Sequence, residues 1–102
     1  MVCGSDHTAA VAIVVAADLG RTVGTDLLLA SCVDSAVVQL ATPPVTALDL
    51  DPREFGSHCA RLFVELVSRD QTPTEPVVEI SPTRLRIRAS SAGARAETDR
   101  IR

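Results

Sequence analysis

The 102-residue chain has no lysine, asparagine, tryptophan or tyrosine, and its aromatic residues are limited to Phe55 and Phe63. Platforms on which bases or sugar faces stack are therefore scarce. All ten basic residues are arginine, against thirteen acids, for a net charge of -3. Arginine without lysine reads as genome base composition, and an acidic chain is by itself a poor nucleic-acid binder. Long apolar runs are missing too. The best, Ala9–Ala17, has nine residues and stops at Asp18, well short of the ~18–20 needed to cross a bilayer. Nor does it read as a signal peptide, because residues 1–8 carry Asp6 but no Lys or Arg. Cys3, Cys32 and Cys59 lie far apart, with no C-x-x-C pair. That argues against a disulfide framework or a zinc knuckle. Each reads instead as a buried small hydrophobe in a reducing compartment. There is no Gly-rich phosphate loop, metal cluster or nucleophile elbow, so the sequence calls for no catalysis, metal or cofactor.

What is present is 46% apolar residues and the length of one small domain. Strand-like and helix-like segments alternate. Residues 1–5 read as a strand end entering a turn, and 6–20 as a helix with Ser5 or Asp6 at its N-cap and Gly20 as its stop. Its apolar residues run almost all round, so it needs cover on more than one face. LLLASC (27–32) is a short apolar run of the kind buried in a parallel sheet. Asp34 and Ser35 start a short helix to about Ala41, which Thr42-Pro43-Pro44 stops. VTALDL (45–50) is a strand. The next helix opens on Asp51 as N-cap, Pro52 at its first position and Glu54 three residues on. Phe55, Cys59, Leu62, Phe63, Leu66 and Val67 then form one apolar stripe. VVEI (77–80) and RLRIR (84–88) read as strands, with Arg84, Arg86 and Arg88 on one face, a solvated or salt-bridged row. Residues 89–102 show no period and read as a loose tail. The order β-α-β-α-β-α-β-β predicts an α/β layer fold with a mostly parallel sheet.

Four segments in order resemble the C-terminal third of a LacI/GalR-family transcriptional regulator: VCGSDHTAAVAIVVAADLG, TVGTDLLLASCVDS, ATPPVTALDLDPREFG and PVVEISPTRLRIRASS, the last ending in Arg-x-Ser. The resemblance covers roughly residues 2–90. It implies a three-layer α/β fold of the periplasmic-binding-protein-like type I, here as an incomplete C-terminal fragment. Residues 1–90 would be part of the effector-binding and dimerisation domain, the helix at 52–68 would belong to the other lobe, and 91–102 would be a flexible tail. It also implies a cytoplasmic protein that is not an enzyme. The effector would be a sugar or a related polyol or nucleoside. Operator DNA would be bound only through a headpiece absent from these residues. A fragment of a periplasmic sugar-binding transport protein is the alternative, and a small standalone α/β enzyme a more distant one.

The same resemblance points to Ser5, Asp6, Asp34 and Phe55 as effector contacts. Each has a plainer reading. Asp6 and Asp34 also suit helix N-caps, and Phe55 suits the core stripe of its helix. Relatives place an aspartate where Val33 stands, and an apolar Val33 accepts no hydrogen bond. Either Asp34 reaches the cleft instead, or the effector is less polar. Ser5, Asp6 and His7 are sequence neighbours and form no triad. A dimer face is expected from Ala10, Ile13, Val14 and Ala17 on the first helix, with Val37, Leu40 and Ala41 behind it.

Overall fold

A computed structural model describes residues 1–69 and 74–92. The elements are β1 (Val2–Cys3), α1 (Asp6–Asp18), β2 (Ala30–Ser31), α2 (Ala36–Gln39), β3 (Thr46–Asp49), α3 (Pro52–Ser68) and β4 (Arg84–Arg86). The chain divides into two compact units. Among the described residues, one comprises Met1–Asp49 with 84–92, the other 50–69 with 74–83.

In the first unit the sheet order is β1-β2-β3-β4, with β1, β2 and β3 parallel and β4 antiparallel to β3. Two parallel pairs joined through helices form the α/β arrangement expected from the alternation. Ser5 caps α1 by accepting the Thr8 N–H at 3.2 Å. At the other end Gly20 N–H donates to the Ala17 carbonyl at 3.0 Å and Arg21 N–H to the Ala16 carbonyl at 2.8 Å. This is a Schellman stop, and Gly20 takes the positive φ of 74° that it needs.

The core is built from small residues. Leu29, Val38, Val45, Ala9 and Ala47 are fully buried, with Cys3, Ala16 and Val23 nearly so. Ala12, Ile13, Leu27 and Ala41 pack against its edge. The remaining surface of α1 stays open at Val11, Val14 and Val15, as an all-round apolar helix requires once one face is used.

Several expectations need correction. Of the three cysteines expected to be buried only Cys3 is; Cys32, on the turn after β2, and Cys59, on a helix with no buried residue, are exposed. The run 27–32 contributes only Ala30–Ser31 to the sheet, and Leu27 makes an isolated bridge to Val23. The helix expected over 34–41 is a single turn, Ala36–Gln39, with Ser35 at the N-cap position but no side-chain capping bond, because the Ser35 hydroxyl donates to Asp6 instead. The expected strand VVEI is not one. Residues 77–80 pair with no strand and Val78 and Ile80 are exposed, because they lie in the second unit, which has no other strand among its described residues. Nor does a loose tail begin at 89. Residues 89–92 form a helical turn with Ser90 fully buried. The rest of the expected tail, 93–102, lies outside the described residues.

In the second unit α3 opens as expected, with Pro52 at its start and Asp51 accepting the Glu54 N–H. Asp51 takes a positive φ of 45° to make that entry. The stripe on α3 is amphipathic, yet none of its residues is buried.

Candidate ligand-binding site

In an open parallel sheet the turns after the strands line the ligand crevice. Here those turns are Gly4-Ser5-Asp6 after β1 and Cys32-Val33-Asp34 after β2. The two are tied together. The Ser35 hydroxyl donates to one Asp6 oxygen at 2.7 Å, and the His7 N–H donates to the other at 2.9 Å. The Ser35 bond, first, and the His7 amide hold the Asp6 carboxyl below its ordinary range. Ser5 shares its hydroxyl with Thr8 at 2.9 Å.

Asp34 is held from the far end of the chain. Arg88 donates to both its carboxylate oxygens, at 2.8 and 3.1 Å, and to the Val45 carbonyl at 2.8 Å. The Asp34 side chain is 7% exposed and that of Arg88 20%. The Arg88 bonds push the Asp34 carboxyl below its usual range, against the burial that would raise it. The Arg row is thus not one surface. Arg88 faces inward, while Arg86 reaches Asp49 at 3.0 Å on the exposed side.

Behind the clasp, Ser90 sits between the starts of β2 and β3. It donates to the Leu29 carbonyl at 2.6 Å and accepts the Thr46 N–H at 2.8 Å. Thr46 in turn accepts the Arg88 N–H at 2.8 Å and bonds the Ser91 hydroxyl. No buried side-chain nitrogen or oxygen among the described residues lacks a partner.

Of the expected site residues, Ser5, Asp6 and Asp34 gather at one end of this sheet. Phe55 lies in the other unit, on the first turn of α3, and is half exposed. The expected dimer face splits. Ile13 and Ala41 lean on the core, whereas Val14 (61% exposed) and Leu40 (83%) face outward. Ala10 is partly buried, and Ala17 and Val37 are exposed. Sequence reasoning missed Arg88, Ser90 and Thr46 as the brace of the site. The signal was the Arg-x-Ser close, whose spacing alone does not say which carboxylate the arginine meets.

The second unit has a shallow pocket of about 270 Å³ lined by His58, Arg61, Leu62, Glu65 and Glu79. His58 contacts Glu79 there. Among the described residues no group of three or more His, Cys, Asp or Glu is placed to hold a metal ion.

Comparison with known proteins places this geometry. Residues 1–91 match the family described as periplasmic binding protein-like domain. The fold is similar to a solved structure, "transcriptional regulator CelR-cellobiose complex", with a TM-score of 0.78 and 31% identity over 88% of this chain. The chain spans 27% of the length of that regulator. No curated protein sequence matches it. The chain belongs to the periplasmic binding protein-like domain family, with the fold of a LacI/GalR-type effector domain.

Proposed function

We propose that these residues serve ligand sensing in a LacI/GalR-type transcriptional regulator of the cytoplasm, with no catalytic step of their own. The effector is a sugar or a close relative, taken at the crevice beyond Ser5, Asp6 and Val33. The observation that carries this reading is the likeness to a regulator–cellobiose complex across 88% of the chain. Sensing needs a ligand that binds one arrangement of the protein better than another. The turns after β1 and β2 supply a rigid side for that ligand, because Asp6, Ser35, Asp34 and Arg88 lock them to the sheet.

A homodimer completes the proposal, through the outward residues of α1 and α2. Val14, Val37 and Leu40 are apolar, uncharged and exposed, and a two-fold axis sets such a patch against its own copy. Operator DNA is contacted by another part of the regulator, since nothing in these residues reads as a helical DNA reader. No helix among the described residues is long and apolar enough to cross a membrane.

The test is fluorescence anisotropy of the full gene product on DNA from upstream of its own gene, with and without cellobiose and related sugars. Specific DNA binding that shifts with a sugar is the expected result. Sugar binding without any DNA binding would move the protein to the transport class. Turnover of the sugar would overturn the non-catalytic reading.

A further inference from the structure

We infer that the sugar taken at this crevice presents an apolar substituent, such as the methyl of a deoxy sugar, to the turn after β2, and that Val33 reads it. This rests on the sugar-sensing reading above.

In the first unit three carboxylates stand at the C-terminal ends of the parallel strands, and each is engaged there. Asp6 accepts from Ser35 and from the His7 amide through separate oxygens. Asp34 gives one oxygen to each of two Arg88 nitrogens. Asp49 takes two bonds from Arg86 on a single oxygen. Each carboxylate keeps lone pairs that a sugar hydroxyl could use, so what sets the turn after β2 apart is its exposed apolar side chain. The Ser5 hydroxyl is also shared, with the Thr8 side chain and amide.

What the turn after β2 offers solvent is Cys32 and Val33, the latter 37% exposed. The backbone of Val33 is fixed by one hydroxyl. Ser31 Oγ accepts the Val33 N–H at 3.1 Å and donates to the Val33 carbonyl at 2.8 Å. A β-branched side chain on a fixed backbone has little rotamer freedom, so its methyls stay where they are. A ligand hydroxyl pressed on them loses water and gains no partner, whereas a methyl there removes apolar surface from water on both sides. An apolar contact discriminates against an added hydroxyl by at most about a hundredfold, so the selectivity is graded.

Titration calorimetry on the full gene product tests this with matched sugars: D-galactose and D-fucose, D-glucose and D-quinovose, L-mannose and L-rhamnose. Each pair differs by one hydroxyl, whose loss leaves a methyl. The deoxy member of at least one pair should bind about 10–100-fold tighter. Val33→Asp should cancel or reverse that ratio. Val33→Thr, nearly isosteric and safe for folding, should narrow it, and Val33→Ile should keep it. If the deoxy member binds tighter in no pair, or if neither Val33→Asp nor Val33→Thr alters the ratio, the inference falls while the sensor reading stands. Absence of binding across the whole set overturns this inference, and the sensor reading falls with it only if cellobiose also fails to bind or to shift DNA binding.

Discussion

Arg88 and Asp34 lie 54 residues apart in sequence and form a two-pronged ion pair, at 2.8 and 3.1 Å. The pair fastens the turn after β2 to the chain leaving β4. A third Arg88 bond, to the Val45 carbonyl at 2.8 Å, also links it to the entry of β3. Both side chains are largely out of solvent, so removing one leaves the other with an unpaired charge. Arg88→Ala and Asp34→Ala should each cost about 2–3 kcal/mol. Urea unfolding of the two single variants and the double variant checks this. If the double variant loses as much as the sum of the singles, the two residues are not coupled.

The same pair sets an acid limit. Arg88 holds the Asp34 carboxyl below its ordinary value of 3.8. The unfolded chain therefore binds the proton first as pH falls. The stabilisation is fully present above about pH 4–5 and is lost as pH drops through the lower folded value. Melting temperature followed from pH 6 to pH 2 should fall, and Arg88→Ala should fall less steeply over the acid end. Parallel curves for wild type and variant would show that another carboxylate governs the acid limb.

Ser90 is fully buried and serves two strands through one hydroxyl, donating to Leu29 and accepting from Thr46. Ser90→Ala strands the Thr46 N–H and the Leu29 carbonyl together. The expected cost is about 2–3 kcal/mol, with Ser90→Val worse because it adds volume to a filled site. Unchanged denaturation midpoints would contradict the bridging role.

Gly24 has φ 98°, and a Cβ there would stand 2.8 Å from the Ala89 carbonyl oxygen. Backbone, not a flexible side chain, would have to move. Gly24→Ala should destabilise by about 2 kcal/mol or more. Gly4 is the control, because a Cβ added there would meet no atom within 4 Å and its φ is not positive. Gly4→Ala should stay within about 0.5 kcal/mol of wild type. Calorimetric melts of the pair decide it.

The proposed dimer face can be probed without damaging the core. Ile13 packs against buried residues, so Ile13→Arg would confuse interface with stability. Val14 is 61% exposed. Val14→Asp should leave the melting curve of the separated subunit unchanged and, in the full gene product, convert a dimer to a monomer by sedimentation. The introduced carboxylate would face its twin across the axis and be desolvated. A dimer that survives the substitution would put the interface elsewhere.

Much of the chain was legible locally because local rules decide it. Ser5 as a cap, Gly20 as a stop and the Asp51-Pro52-Glu54 start act within one helical turn, where residue type and spacing suffice. The alternation of apolar segments likewise implied parallel strands joined by helices. Residues 77–80 misled because β-branched content reads as strand, whereas a strand exists only where another edge accepts its bonds. Asp34 read as a cap or a ligand contact, and tertiary structure made it the partner of Arg88. Ser90 sat in a segment without periodicity, and only the convergence of β2 and β3 turned it into a buried brace. Composition and spacing report what a residue offers to its neighbours within a few positions. Which distant group accepts the offer depends on chain crossing and burial, and there the charge of Arg88 and the hydroxyl of Ser90 acquired their roles.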